Sequence, residues 1–343
     1  MKLHFNQTNG PVDKVIDQLM DLVGSIDHPG IVREMILAAL KAGQEKAPVA
    51  DLKLMNSTLK EMRFTAKVFG SYRGVKKVTV FGSARTQPHE PVYRMAQHLG
   101  EKLTEAGYMV ITGGGPGIMQ AVNEGAGPEH SFGINIRLPF EQKSNHILQG
   151  SPRSIDYKYF FNRKVAFLKE ADAVALFPGG FGTLDEAMET LTLVQTGKQV
   201  PFPLVLVDEP GGTYWSQWID FFKKELLAQG YISATDFNIF ERVDSVEHIV
   251  AIIDRFYRRY HSIRYVGERI VIRLTSSIRE QDVVDLKARF SDILAPPNNF
   301  FLAGPTKEEA DEPAIAHLPR LILDFNRKDF GRLRSLINAI NLC

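Results

Sequence analysis

Short apolar runs alternate with longer amphipathic segments across the middle of the chain, between Val75 and Tyr260. Short, continuous apolar runs are typical of strands that are buried on both faces of a sheet. They predict strands at Val78–Phe81, Met109–Thr112, Phe132–Ile136, Ala173–Phe177 and Leu204–Val207. The amphipathic segments predict helices at about Pro91–Ala106, from the end of the turn at Gly117 to about Ala126, and at Tyr159–Glu170, Tyr214–Gln229 and Val246–Tyr260. This alternation predicts a parallel, doubly wound α/β sheet that binds ligands at the carboxyl ends of its strands.

The segments on either side follow different patterns. Before Val75 the pattern predicts helices and loops with apolar seams at three-and-four spacing, formed by Val32, Met35, Ile36 and Leu40 and by Met55, Leu59, Met62, Ala66 and Phe69. We expect these seams to dock on the main domain or on a second subunit. After about Tyr265 the pattern predicts strands at Ile270–Leu274 and Leu321–Phe325, helices at Asp282–Leu294 and Phe330–Ile340, and a loop at Ala295–Pro313 with a short strand at Phe300–Leu302. The expected domains are therefore a helical extension (1–74), a catalytic domain (75–264) and a small α+β appendage (265–343).

Composition excludes several classes of protein. The 343 residues are 44% hydrophobic and 24% charged with a formal net charge of +1, which favours neither nucleic acid nor an anionic membrane as a partner. The only cysteine is Cys343, so a disulfide framework and a cysteine zinc site are excluded. The first ten residues lack the apolar core of a signal peptide, and no apolar run is long enough to span a membrane. We therefore expect a cytoplasmic protein.

Two glycine-rich turns follow predicted strands, and glycines of this kind let a phosphate approach the main chain. Their glycines are Gly113, Gly114, Gly115 and Gly117 in one turn and Gly179, Gly180 and Gly182 in the other. A dinucleotide fingerprint needs a glycine at the sixth position, where Ile118 and Asp185 stand instead. A P-loop sequence is absent as well. The pair of turns therefore favours a mononucleotide site.

Glu186 has two interpretations that the local sequence leaves open. Thr183 is placed to cap the helix after the second turn, and Thr183-Leu184-Asp185-Glu186 fits a capping box in which the glutamate reaches back to the cap residue. Alternatively, a carboxylate one turn inside a helix that faces a phosphate cleft is suited to contact a sugar or an attacking water.

Several basic and polar residues are candidates with equally plausible structural roles. Ser83 and Arg85 follow the first predicted strand, where the arginine could pair with phosphate or lie on the surface. Arg163 is either a solvated helix residue or a cleft residue, and its neighbour Lys164 should point to another face, so that only one of them enters the cleft. Asn145 and His146, in the polar loop after Pro139, are interpreted as loop residues. The sequence shows no cluster of metal ligands, so we expect no metal and no cofactor.

Three segments together resemble a known family. Pro178-Gly179-Gly180-Phe181-Gly182-Thr183-Leu184-Asp185-Glu186 fits the P-G-G-x-G-T-x-x-E signature of the Lonely Guy (LOG) family, often labelled "lysine decarboxylase-like". Gly113–Met119 resembles that family's other glycine loop, and Asn162-Arg163-Lys164 its arginine segment. The resemblance covers about Val75–Tyr260, and the long signature is more specific than either glycine turn.

The resemblance implies a Rossmann-like domain that hydrolyses nucleoside 5′-monophosphates, such as AMP or GMP, to a free base and ribose 5-phosphate. It implies that Glu186 and Arg163 are the catalytic pair and that the two glycine loops bind the phosphate. It also implies a homodimer or larger homo-oligomer with sites near the subunit interface. The chemistry fits a carboxylate, because breaking an N-glycosidic bond builds positive charge on the sugar ring.

Three alternatives remain open at this point. One is a carrier or sensor that binds a nucleotide or molybdenum cofactor at the same site without hydrolysis. Another is a pyridoxal-phosphate decarboxylase, although no lysine is singled out as a Schiff-base residue. The third is a single-stranded DNA binder, which the neutral charge and the lack of interleaved basic and aromatic residues disfavour.

Overall fold

A seven-stranded parallel sheet forms the centre of the protein in a computed structural model that describes residues 9–138 and 144–343. Its strands are β1 (Lys77–Phe81), β2 (Met109–Thr112), β3 (Ser131–Ile136), β4 (Ser154–Tyr157), β5 (Ala173–Leu176), β6 (Leu204–Val207) and β7 (Glu241–Val243). They lie in the order β4-β3-β2-β1-β5-β6-β7. The chain therefore leaves β1 toward one edge and later returns to its other side through β5. Ligands bind at such a change of direction in open α/β sheets.

Helices cover both faces of this sheet. They are α4 (Pro91–Glu105), α5 (Ile118–Ala126), α6 (Phe160–Lys169), α7 (Phe181–Gln195), α8 (Tyr214–Phe221) and α9 (Val246–Phe256). Successive strand residues serve opposite faces: Ala173 and Ala175 pack in the core with α4, α5 and α9, whereas Val174 and Leu176 pack in the core with α6, α7 and α8. This explains the apolar strand runs, because both sides of each central strand are buried. The doubly wound α/β fold predicted from the sequence is confirmed.

A separate antiparallel sheet follows at the C-terminal end. Its strands are β8 (Tyr260–Val266), β9 (Arg269–Leu274), β10 (Phe300–Ala303) and β11 (Arg320–Leu323), in the order β10-β11-β9-β8. Helices α10 (Glu280–Arg289) and α11 (Phe330–Ile340) share an apolar core with it. The buried Glu309 accepts hydrogen bonds from Arg273 at 2.7 Å and from Arg320 at 3.3 Å, which ties the loop before β11 to the sheet. The predicted small α+β appendage is therefore present.

By internal contacts the chain divides into two compact units, residues 1–63 and 64–343. In the first unit, α1 (Pro11–Val23) and α2 (Pro29–Gln44) precede α3 (Val49–Gly70), which crosses the boundary. Within this unit the apolar residues Ile16 of α1 and Leu37 of α2 are buried, and Arg33 forms an ion pair with Asp13. The finer division at residues 74 and 264 stays a prediction.

The sequence analysis missed three strands, β4, β7 and β8. Each carries polar residues among its apolar ones, as in the edge strand β8 with His261 and Arg264. The helix predicted around Tyr214–Gln229 is α-helical only as far as Phe221, the last residue of α8. A π-helical segment, Phe222–Leu227, follows it. Likewise α9 ends at Phe256, because Tyr260 already belongs to β8.

Candidate functional site

The loops after β1, β2 and β5 enclose one cavity at the carboxyl edge of the parallel sheet. Its volume is about 820 Å³, within the usual range of small-molecule sites. The predicted site residues that line it are Ser83, Arg85, Gly113, Gly114, Gly115, Arg163, Gly179, Gly180, Gly182, Thr183 and Glu186. Gly117 is not among the lining residues. The cavity lies where the strand order changes direction, beside β1 and β5.

Helix α7 begins three residues earlier than it would with Thr183 as its N-cap. Gly180, in an extended conformation, is the N-cap, and Phe181 and Gly182 form the first turn. The predicted cap at Thr183 and the capping box with Glu186 are therefore wrong, because Thr183 is already the third residue of the helix. The amides of Phe181 and Gly182 are first-turn donors without intrahelical acceptors, and they open onto the cavity.

The side chain of Thr183 has a packing role instead. A Cβ on Gly179 would lie 2.7 Å from the Cβ of Thr183, so only glycine fits beside it. The amide of Ser83, in the loop after β1, donates to the carbonyl oxygen of Pro178 at 3.1 Å. These contacts fix the turn after β5 against the loop after β1.

Two asparagines hold the glycine loop after β2. Buried Asn145 donates from its side chain to the carbonyl oxygen of Gly115 at 3.1 Å, and its amide donates to the carbonyl oxygen of Gly114 at 2.8 Å. The side chain of Asn135 lies against Gly114, where a Cβ would overlap it. Gly114 also has a positive φ of 70°, so glycine is required here both by the space beside Asn135 and by the backbone conformation.

Glu186 lies one turn inside α7 and is only 3% exposed. Its Oε2 atom is buried and accepts no hydrogen bond from any residue that the structure describes. Burial raises the pKa of this carboxyl above its usual value, although the cations Lys164 and Arg163 act in the opposite direction. A buried carboxyl with a free oxygen facing a cavity is suited to exchange a proton with a bound molecule or to stabilise positive charge.

Arg163 approaches the same region from α6. Its guanidinium lies over the rings of Phe160 and Phe167, 5.6 and 5.2 Å from their centroids, and its Nε atom is buried without a hydrogen-bond partner among the described residues. Burial lowers its pKa, while Glu186 and Asp185 raise it. The structure thus places Arg163 as a largely buried cation at the cavity rather than on a solvated helix face.

Lys164 also turns toward α7, although it does not line the cavity. Its Nζ atom lies 2.8 Å from Asp185, 2.7 Å from Glu189 and 3.5 Å from Glu186. Burial lowers the pKa of Lys164, but the hydrogen bonds to Asp185 and Glu189 outweigh it and the pKa is raised. Of the two neighbours only Arg163 lines the cavity, as the sequence predicted, while Lys164 makes the ion pairs with the α7 carboxylates.

Aromatic side chains form part of the cavity wall and rim. Tyr214 and Trp218, one turn apart on α8, line it together with Phe160 and Phe181. The Tyr214 hydroxyl donates to the carbonyl oxygen of Gly179 at 2.7 Å, which braces the α7 turn. Phe181 is 91% exposed. Rings in such positions offer stacking surfaces for a planar group.

The sequence analysis missed several of these residues. The four-residue spacing of Tyr214 and Trp218 could have identified a shared helix face. The polar side chain of Asn135 at the end of a buried strand was also a usable signal. Asn145 lies in a loop, as predicted, and the structure adds that it is buried and bonded to the glycine turn, whereas its neighbour His146 is exposed.

Across residues 9–138 and 144–343, no group of three or more His, Cys, Asp or Glu side chains is arranged to hold a metal ion. Within the same ranges, no helix is both long and apolar enough to cross a membrane.

The fold and the cavity define a Rossmann-like α/β protein with its ligand cleft at the change in strand order. The family described as "possible lysine decarboxylase" matches residues 118–253. A probable cytokinin riboside 5′-monophosphate phosphoribohydrolase, LOG4 of Oryza sativa subsp. japonica, is 28% identical over 184 residues, which is 51% of this chain and 75% of that protein. The phosphoribohydrolase LOG1 of Arabidopsis thaliana is 24% identical, over 55% of this chain and 87% of that protein.

One solved structure, that of TM1055, is 29% identical and covers 53% of this chain and 99% of its own, with a TM-score of 0.38. The family match and the curated relatives support the resemblance to the LOG family that the glycine motifs and the arginine segment indicate.

Proposed function

We propose that the protein hydrolyses the N-glycosidic bond of nucleoside 5′-monophosphates, giving a free base and ribose 5-phosphate. The observation that carries the proposal is the placement of Glu186. It is a buried carboxyl with one unbonded oxygen, and it lies one helical turn from the free amides at the start of α7. The relatives named above are phosphoribohydrolases by their descriptions, which supports the same chemistry here.

The phosphate would bind at the start of α7. The first amides of Phe181 and Gly182 point toward an anion, and the helix dipole favours negative charge at the same place. Arg85, exposed at the rim, supplies a cation on the facing loop. This anchor lies away from the bond to be broken, so its binding energy positions the ribose.

The reaction then takes place beside Glu186. As the bond between C1′ and the base nitrogen breaks, positive charge builds on the ribose ring, and the Glu186 carboxylate stabilises it. A water oxygen forms the new bond to C1′. One of its protons passes to Glu186 and on to the departing base nitrogen, so the products are the neutral base and ribose 5-phosphate. Arg163 lines the same cavity and contributes its positive charge to binding.

The test is the release of free base from AMP and GMP, separated by chromatography. We expect wild-type protein to release base and Glu186→Gln to lose about 10²-fold or more in turnover, the scale of a positioned acid–base group. Binding of AMP should change little, because the lost interaction is made mainly in the transition state. Glu170→Gln, at a carboxylate just after α6 and outside the cavity, is the control.

Two outcomes would contradict the proposal. If Glu186→Gln released base at the wild-type rate, the chemistry would not depend on this carboxylate. If wild-type protein bound nucleotide tightly but released no base, the non-hydrolytic carrier or sensor would replace the hydrolase as the best function for this cavity.

A further inference from the structure

Three carboxylates in the first turns of α7 lie around a single lysine from α6. Asp185 and Glu189 lie one turn apart, with Glu186 between them in the sequence. The Lys164 ammonium group donates to Glu189 at 2.7 Å and lies 2.8 Å from Asp185. The side chain of Lys164 is 16% exposed, whereas those of Asp185 and Glu189 are 59% and 31% exposed.

The third carboxylate is held at a different distance. Lys164 Nζ lies 3.5 Å from Glu186 Oε2, close enough for an ion pair, yet Oε2 accepts no hydrogen bond from the described residues. Asp185 and Glu189 therefore take two of the three N–H donors of Lys164. Glu186 receives the charge of the lysine without accepting a hydrogen bond from it.

This arrangement matters because the surroundings of Glu186 otherwise oppose its ionisation. Burial disfavours the carboxylate, and Asp185 and Glu189 on its own helix add like charge. Arg163 and Lys164, both from α6, are the cations that oppose these effects, and Lys164 is the larger of the two influences. Arg85 lies on the far loop of the same cavity.

We propose that Lys164 is a positioning residue for Glu186: its ammonium charge keeps Glu186 ionised, while Asp185 and Glu189 hold the ammonium group short of a hydrogen bond with Oε2. The inference rests on the proposed function for the role of Glu186. It adds a residue outside the cavity wall that sets the ionisation of the group inside it.

The first experiment is the pH dependence of kcat/KM for base release from AMP. Removing the positive charge in Lys164→Met should move the acidic limb to higher pH by about one unit or more, since an opposite charge at this distance shifts a carboxyl by that amount. At a given pH on that limb, kcat/KM of Lys164→Met should be about tenfold lower than that of wild type. Lys164→Arg keeps the positive charge, so its acidic limb should lie close to the wild-type pH. Lys169→Met, which removes the same charge from the same helix beside Glu170, should leave the limb in place.

The second experiment does not need activity. In protein labelled with ¹³C at the glutamate carboxyls, the Glu186 signal is the one absent from Glu186→Gln, and its titration midpoint can be followed directly. Lys164→Met should raise that midpoint. Glu189→Gln should lower it, because it removes a like charge and releases Lys164 to approach Glu186. A rise in one variant and a fall in the other separate a charge effect from a general loosening of the fold. If Lys164→Met fails to fold, Lys164→Gln removes the same charge while keeping a polar side chain.

The two proposals can fail separately. A wild-type protein that releases no base would remove the proposed function, while the ¹³C titration would still decide the role of Lys164. A limb and a midpoint that stay at wild-type values in both Lys164→Met and Glu189→Gln would overturn the inference, even in an active hydrolase.

Discussion

The amide nitrogen of Ile118 donates a hydrogen bond of 3.0 Å to the carbonyl oxygen of Ser83. This bond joins the first residue of α5 to the loop after β1. Beside it, Gly117 passes so close that a Cβ on it would lie 2.7 Å from the carbonyl carbon of Ala84. The loop after β1 therefore supports the glycine loop after β2, and Gly117 acts in this support although it does not line the cavity.

Gly117→Ala should destabilise the fold for two reasons. Its φ of 68° is unfavourable for alanine, and the new methyl group would meet backbone atoms that have no room to move. Gly107→Ala is a matched control, because Gly107 has a φ of 83° but nothing within 4 Å of the added Cβ. We expect Gly107→Ala to cost about 1–2 kcal/mol of unfolding free energy and Gly117→Ala clearly more, measured by urea denaturation. Equal losses would contradict the close approach.

Gly182→Ala tests whether a ligand meets the start of α7. A Cβ at Gly182 meets nothing within 4 Å, and neither Gly182 nor Gly180 has a positive φ, so the protein itself does not require glycine there. The variant should melt like wild type but bind AMP about tenfold more weakly, a loss of about 1.4 kcal/mol by calorimetry. Gly43→Ala, in the open on α2, controls for the substitution itself. Unchanged affinity would mean that this turn does not contact the phosphate.

Glu186→Gln should leave the fold at least as stable as wild type at neutral pH. The pKa of Glu186 is raised above 4.5, mainly by burial, so the folded state binds more protons than the unfolded state in the window above that value. Stability is therefore lost as the pH rises through this window, and the ionised carboxylate is a net cost at pH 7. Glutamine removes that cost, and the advantage should shrink below about pH 4.5. Denaturation curves at both pH values measure it, and a less stable variant at pH 7 would contradict the sign.

The apolar seam of α3 predicts a homo-oligomer. Met55 and Leu59 are 52% and 47% exposed, which is unusual for large apolar side chains at helical spacing. Light scattering at micromolar concentration should give at least twice the chain mass of 38.5 kDa. Met55→Glu combined with Leu59→Glu should lower that mass. A wild-type mass of one chain would count against the prediction.

Much of the fold could be predicted because burial on both faces leaves a plain signal. The runs at Met109–Thr112 and Leu204–Val207 match β2 and β6 to the residue. Strands such as β8 were missed because an edge strand has one open side and tolerates polar residues, so its pattern resembles that of a loop.

The start of α7 shows where local sequence rules reached their limit. Thr183 has the chemistry of a cap, but Gly180 takes that position, because the turn after β5 must pass close to the Thr183 side chain and the Ser83 loop. A capping side chain stabilises a helix by about 1 kcal/mol. The packing contacts that fix this turn outweigh that contribution. The hypothesis of a capping role for Glu186 fails for the same reason.

Local patterns were enough to predict the α/β alternation, both glycine turns and the candidates Glu186 and Arg163, because hydrophobic period and short glycine motifs are properties of neighbouring residues. Tertiary structure alone decided that Lys164 reaches three carboxylates of α7, that Asn145 bonds to Gly115, and that Glu186 is buried with one free oxygen. These facts depend on contacts between elements far apart in the chain. Burial and the distances between charges, which set the ionisation of a carboxyl, exist only once those elements have packed together.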